Sequence, residues 1–225
     1  MIKCVLIDID NTVLDFNLSA KEAMKIVFNE YEIQFYEEMF GVFTGINDGL
    51  WIEVENGRMT KDELFKVRWN TILNAMNINL DGETFEQKFL KALEVCAVPM
   101  KFAEEILEYL SSRYILCAAT NAPHEQQLLR LERSGLIKYF DHIFTSGKLG
   151  ATKPSREFFE ECFKALDGVS ADESIMIGDS ITADIVGGIN YGITTCWYNY
   201  RNAPAPEGIT PDYIIGTLDE IKNIL

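Results

Sequence analysis

Apolar runs of strand length, each stopping at a polar side chain, recur along this chain with amphipathic stretches of helix length between them. The first covers residues 3–8, where Cys4, Val5, Leu6 and Ile7 lead without interruption to Asp8, the pattern of a strand covered on both faces. Similar runs at 114–119, 142–145, 174–177 and 193–197 are separated by helical periodicity, and 213–215 adds a shorter one. That alternation predicts an α/β fold, a Rossmann-like three-layer core with a parallel sheet between helices. Helices are predicted at 101–111, 124–134, 155–166, 180–191 and 217–224, the last opened by Thr217 and Glu220 at capping-box spacing. Residues 199–211, rich in Pro, Gly and Asn, are predicted to wrap the surface as a loop.

Between the first and second runs lie about a hundred residues with helical periodicity and almost no strand signal. They predict an inserted all-helical cap domain at 15–97, which leaves 1–14 and 98–225 as the core. Ser19 with Glu22, and Thr60 with Glu63, have the spacing at which hydroxyl and carboxylate satisfy opposite backbone N–H groups at a helix start. Phe65, Trp69, Ile72, Leu73 and Met76 follow as one apolar face, and Asn56–Gly57 and Asp81–Gly82 read as turns.

Composition narrows the class of partner. The 225 residues carry 35 acidic and 20 basic side chains, a formal net charge of −15, with no block of Lys or Arg to neutralise a phosphate backbone. A nucleic-acid polymer is therefore not expected, whereas a small anion is compatible. With 48% hydrophobic and 24% charged residues the chain can bury a globular core. No apolar run approaches the roughly 20 residues of a membrane span, and the N-terminus lacks a signal-peptide apolar region, so the expected location is cytoplasmic, with no membrane partner. Cys4, Cys96, Cys117, Cys162 and Cys196 are odd in number and without Cys-x-x-Cys spacing, which predicts buried free thiols rather than a disulfide framework or zinc site.

Ligands of open parallel sheets bind beyond the carboxyl ends of the strands, so the residues after each run are the candidates for chemistry. There stand Asp8, Asp10, Asn11 and Thr12; then Thr120 and Asn121; then Lys153 before Pro154; then Gly178, Asp179 and Ser180, with Asp184 beyond. Taken singly, each is a common turn or helix cap. Together they place carboxylates, one ammonium and neutral donors at one sheet edge. Crowded carboxylates repel unless a divalent cation sits among them, and hard oxygen donors without imidazole or thiolate favour Mg²⁺. Lys153, Thr120 and Asn121 would then face a substrate with several negative oxygens, which phosphate satisfies. Asp8 and Asp10, at i and i+2 of an extended segment, point to one side. Asp8 is the candidate nucleophile on phosphorus and Asp10 the acid/base for the leaving oxygen and the later water.

This quartet resembles the four motifs of the haloacid dehalogenase superfamily of phosphatases over essentially the whole chain. The resemblance implies that Asp8 forms the aspartyl-phosphate, that Asp10 is the acid/base, and that Thr120, Asn121 and Lys153 bind the phosphoryl group. It also implies that Mg²⁺ is held by the Asp8 carboxylate, the Asp10 carbonyl and Asp179, with Asp184 behind these ligands, and that the helical insert is a mobile cap. Residues 128–136, 184–192 and 195–197, with 50–57 in the insert, are similar to the pyrimidine nucleoside 5′-monophosphatase branch, which implies action on nucleotides such as UMP and dTMP. Two departures stand out: Ala122–Pro123 replaces the usual Gly after the Thr–Asn pair, and Asn11 replaces the commonest Gly after the second Asp, a substitution that a left-handed turn tolerates.

In the cap, Asn47, Trp51 and Arg68 are the candidates for touching base or sugar, against the stronger structural reading in which Trp69 and Phe35, Phe40, Phe43, Phe65, Phe85 and Phe89, and Trp51 with them, form the cap core. The alternatives to a phosphatase of nucleotides are a phosphomutase of the β-phosphoglucomutase type, a sugar-phosphate phosphatase, a metal-independent dehalogenase attacking carbon, and a non-catalytic protein on the same fold. A monomer or small homo-oligomer is expected.

Overall fold

Each apolar run becomes a strand whose alternate side chains enter two different cores, because successive Cβ atoms of a strand point to opposite faces. The computed structural model describes residues 1–225. In β1 (Cys4–Ile7), Val5 and Ile7 join one cluster while Cys4 and Leu6 join the other. Its neighbours β2 (Ile115–Thr120) and β4 (Ser174–Gly178) repeat the division, with Leu116, Ala118, Ile175 and Ile177 on the first face and Cys117, Ala119 and Met176 on the second. The register aligns them, Val5 lying beside both Leu116 and Ile175. With β3 (His142–Thr145), β5 (Thr194–Tyr198) and β6 (Tyr213–Ile215) they form one six-stranded sheet of order β3-β2-β1-β4-β5-β6, every pair parallel.

Contacts divide the chain into Met1–Asp15 with Val98–Leu225, and Phe16–Ala97. The second unit comprises α1 (Phe16–Glu30), α2 (Glu37–Glu55), α3 (Lys61–Ala75) and α4 (Gly82–Val95). Their apolar faces meet around Trp69, whose ring lies 4.2 Å from Phe85, 5.0 Å from Phe89 and 5.6 Å from Phe43 by centroid. The sheet unit adds α5 (Ala103–Ser111), α6 (His124–Arg133), α7 (Ser146–Leu149), α8 (Arg156–Lys164) and α9 (Val186–Tyr191). Ile106 and Leu107 of α5 and Leu131 of α6 cover the first sheet face, and Phe158, Phe159 and Cys162 of α8 cover the second. Strands covered on both faces by helices are the three-layer arrangement expected from the alternation.

Three local expectations are corrected. The helix expected to start at Ser19 begins at Phe16, so Ser19 is fully buried within its first turn, and Glu22 pairs with Lys25 at 2.7 Å. Residues 180–191 are not one α-helix: Ile181–Ile185 form a π-helical turn ahead of α9, with the N–H groups of Asp184 and Ile185 both donating to the Ser180 carbonyl, at 3.0 and 3.3 Å. The C-terminal segment has its capping box from Thr217 and Glu220 but closes as a 3₁₀ helix, Leu218–Asn223. The Thr60–Glu63 capping box is present in full. Cys4, Cys117, Cys162 and Cys196 are buried free thiols and Cys96 is a half-buried one. No helix is long and apolar enough to cross a membrane.

Candidate active site

The strand order places β1 where the chain changes sides: β2 and β3 add to one edge, β4 to β6 to the other. Such a switch point leaves a crevice beyond the strand ends. Asp8 stands at it, continuing the ladder by donating its N–H to the Ile177 carbonyl at 2.8 Å, and it is 6% exposed. The chain then turns back through Asn11 at φ 58°, a left-handed conformation that Asn tolerates, so Asn in place of Gly keeps the turn. Asp179 follows β4, and Thr120 ends β2.

Lys153 comes from the loop between α7 and α8 and is 1% exposed. Its ammonium donates to Asp8 Oδ1 and Asp184 Oδ1, both at 2.7 Å, and to the Ala119 carbonyl. Asn121 grips the backbone of the same residue: its Nδ2 donates to the Lys153 carbonyl at 2.9 Å and its Oδ1 accepts from the Lys153 N–H at 2.8 Å. Asn121 therefore does not cap α6, whose first residue follows Pro123 with no side-chain cap. Thr120 Oγ1 accepts from the Ala122 N–H at 3.1 Å.

One carboxylate oxygen from each of Asp8, Asp179 and Asp184 lies within 4.8 Å of the others. Burial pushes the Asp8 carboxyl up to about 7, with Asp184 and Asp10 adding to the rise and Lys153 opposing it. Burial first, then the charges of Asp8 and Asp184, raise Asp179 well above the usual carboxylate range. Burial raises Asp184 as well, against its bonds to Lys153. For Lys153 burial acts against the charge, but Asp184 and Asp8 outweigh it and the pKa rises, so the ammonium persists. One ammonium among three enclosed carboxylates leaves the cluster short of positive charge. All the donors are hard oxygens and none is imidazole or thiolate, so the set fits Mg²⁺. Asp184 spends Oδ1 on Lys153 and Oδ2 on the Ser180 N–H, at 3.1 Å. That leaves Asp8 and Asp179 as the carboxylates best placed to face an ion.

Asp184 reaches this position only because residue 178 has no side chain. A Cβ at Gly178 would stand 2.1 Å from Asp184 Oδ2 and 2.4 Å from its Cγ. Gly178→Ala is expected to drive Asp184 off Lys153 and to destabilise the fold by about 1–3 kcal/mol or more. Chemical denaturation of the purified variant, read as a lowered midpoint at unchanged slope, checks this.

Two residues of this neighbourhood do not stand out in the sequence. Gln127 and Arg130, both from α6, bind the Asp10 carboxylate: Gln127 Nε2 donates to Oδ2 at 2.6 Å and Arg130 Nη1 to Oδ1. They lie at i and i+3 on the same helix face as buried Leu131 at i+4 from Gln127, and polar side chains in line with an apolar stripe were the available signal.

In the helical unit, Asn47 and Arg68 are buried and engaged with one another and with Glu86. Arg68 donates from Nε to Glu86 Oε2 at 3.0 Å, from Nη2 to Glu86 Oε1, and from Nη1 to Asn47 Oδ1 at 3.0 Å. Trp51 is half-buried, with its ring edge-on to Phe65 at 6.4 Å.

Comparison with known proteins is consistent across the chain. Residues 2–192 match the family model described as haloacid dehalogenase-like hydrolase. The YfnB protein of Bacillus subtilis strain 168 is 35% identical over 99% of this chain and 95% of its own. Its crystal structure, solved bound to magnesium, superposes with a TM-score of 0.95, covering 100% of this chain and 98% of that one. Pyrimidine 5′-nucleotidase PynA of Streptococcus pneumoniae is 32% identical over 99% of this chain and 97% of its own. Pyrimidine 5′-nucleotidase YjjG of Escherichia coli is 28% identical over 98% and 96%. A parallel sheet with an acid at the tip of its central strand, a family model spanning most of the chain, and relatives aligned end to end agree: the chain belongs to the haloacid dehalogenase-like hydrolases.

Proposed function

We propose that this protein is a Mg²⁺-dependent phosphomonoesterase that works through an aspartyl-phosphate on Asp8, with pyrimidine nucleoside 5′-monophosphates as its substrate class. The observation that carries the reaction type is the convergence of Asp8, Lys153, Asp179 and Asp184 in one buried cluster at the sheet's switch point. The substrate class is supported by the two relatives named pyrimidine 5′-nucleotidases, aligned over nearly their whole length.

Asp8 Oδ attacks phosphorus, the phosphorus–ester oxygen bond breaks, and Asp10 gives the leaving oxygen its proton. Asp10 then takes a proton from a water whose oxygen attacks the same phosphorus, the bond to Asp8 breaks, and inorganic phosphate leaves. Lys153 holds the Asp8 carboxylate and faces the transferring phosphoryl oxygens, whose charge it offsets, and the Thr120 hydroxyl and Asn121 complete the wall on that side. Asp8, the Asp10 carbonyl and Asp179 would hold Mg²⁺, which supplies charge neutralisation at the phosphoryl group. The choice among esters we assign to the helical unit, where the half-buried Trp51 ring is the candidate to stack on a base; Asn47 and Arg68, expected to touch base or sugar, are buried and bonded to one another, with Arg68 also held by Glu86, so they support the unit from within.

The test is release of inorganic phosphate from UMP, dTMP, several hexose phosphates and p-nitrophenyl phosphate, with Mg²⁺ and with a chelator. Stoichiometric release that stops on chelation, with kcat/KM for UMP or dTMP at least ~10-fold above the hexose phosphates, is the expected result, that margin being the 1.4 kcal/mol of a modest pocket preference. Isomerisation of a hexose phosphate without net phosphate would mean a mutase, and absence of any turnover would remove the phosphatase altogether.

A further inference from the structure

Arg130 is an unusual residue to find fully enclosed: its side chain is 0% exposed, while the Asp10 side chain it binds is 26% exposed. Burying a guanidinium costs several kcal/mol unless its partners are well placed, so its location calls for a partner worth holding. That partner lies 120 residues away, on the turn after β1. Gln127, 0% exposed, binds the other Asp10 oxygen and also reaches the Thr120 hydroxyl, at 3.3 Å. Its own Oε1 accepts from Arg130 Nη1 at 3.1 Å, which stiffens the pair. The helix that carries both is seated in the sheet core by Leu131.

From this juxtaposition we infer that Arg130 and Gln127 are positioning residues for Asp10: they fix where its carboxylate sits relative to the transferring phosphoryl group. The inference rests on the phosphatase reading above and adds to it a part of the machinery outside the four strand-end motifs. A carboxylate has about four lone-pair sites, so one bond accepted on each oxygen leaves each with a site for the reaction's proton. In the first half-reaction that proton passes from Asp10 to the departing ester oxygen as the phosphorus–oxygen bond breaks and the bond to Asp8 forms. In the second, Asp10 takes a proton from the attacking water as the Asp8–phosphorus bond breaks. Both transfers need heavy atoms about 2.6–3.2 Å apart, and a shift of ~1 Å is enough to lose about 100-fold.

A positioning role has a signature that simple destabilisation lacks. Esters with poor leaving groups need the proton, and p-nitrophenyl phosphate, whose phenolate departs readily, does not. The experiment measures kcat/KM of the parent, Arg130→Met, Arg130→Lys and Gln127→Leu with Mg²⁺ on UMP, phenyl phosphate and p-nitrophenyl phosphate, with circular dichroism to establish folding. For Arg130→Met, kcat/KM on UMP and phenyl phosphate should fall ~10- to 100-fold, and on p-nitrophenyl phosphate by less than ~3-fold. Arg130→Lys, which keeps one donor, should recover part of the loss. Should Arg130→Met not fold, Gln127→Leu decides, with the same selective loss at smaller size. Equal losses on all three esters, or none, overturn the inference while the parent's turnover leaves the phosphatase standing. A parent that hydrolyses none of them overturns both.

Discussion

Asp8→Asn will abolish turnover while leaving a folded protein that, without divalent cation, is more stable than the parent at pH 8. The activity loss should be on the order of 10⁴-fold or more, since removal of a nucleophile that forms a covalent intermediate leaves only binding and electrostatic terms. The stability gain follows from burial. The folded protein raises Asp8 to about 7, well above its ordinary value of 3.8. An acid whose folded-state pKa exceeds its unfolded value costs stability progressively as pH rises between the two, and the full cost is present above the higher one. The neutral amide escapes that cost and still offers Oδ1 to Lys153. The difference in unfolding free energy between variant and parent should therefore be greatest near pH 8, on the order of a few kcal/mol, and should fade toward pH 4. Mg²⁺ should narrow it by stabilising the parent's carboxylate. Residual turnover at the parent rate from a folded Asp8→Asn protein would end the nucleophile assignment.

Lys153→Met carries the second large effect. Its ammonium is the only cation bonded to Asp8 and Asp184, and removing it leaves enclosed carboxylates facing one another. Breaking a buried ion pair from one side costs about 3–5 kcal/mol, mainly because the remaining charge is stranded. The denaturation midpoint should drop accordingly, and kcat should fall by about 10²–10³-fold or more with the loss of a donor at the phosphoryl group. Combining it with Asp184→Asn separates the two consequences. The double variant removes one stranded charge and should regain much of the stability, yet it should not regain activity. If the double variant is no more stable than Lys153→Met alone, electrostatic stranding is not the cause of the loss.

The strand ends were legible in the sequence because a strand covered on both faces must be an uninterrupted apolar run, and such a run makes the acid that ends it conspicuous. Asp8, Asp179 and the Thr120–Asn121 pair each follow one. Lys153 was legible by its company, standing before Pro154 ahead of a helix. What the pattern concealed depends on pairing across long sequence separation. Gln127 and Arg130 sit in a helix rich in polar residues, where without a known partner they resemble a solvated face, and Asp10 is 120 residues away from Arg130. Glu86, which takes the Arg68 guanidinium, was likewise hidden among the charges of α4. Local motifs also mislead when packing overrules them. Ser19 and Glu22 have the spacing of a cap, but Phe16 packs against the same cluster as Ala20, Ala23 and Met24, and the helix already runs through Ser19 from that residue. The π-helical turn before α9 arises from a tertiary demand, the return of Asp184 onto Gly178, that no local propensity encodes.

The pair of hydrogen bonds between the Asn121 amide and the Lys153 main chain has a consequence for engineering. Because a side chain after β2 sets the backbone from which the lysine before α8 projects, these two segments behave as one exchangeable part. A chimaera that imports either loop from a relative without the other would inherit a lysine aimed by the wrong anchor, so recombination among such enzymes should succeed only at crossover points that keep the two together.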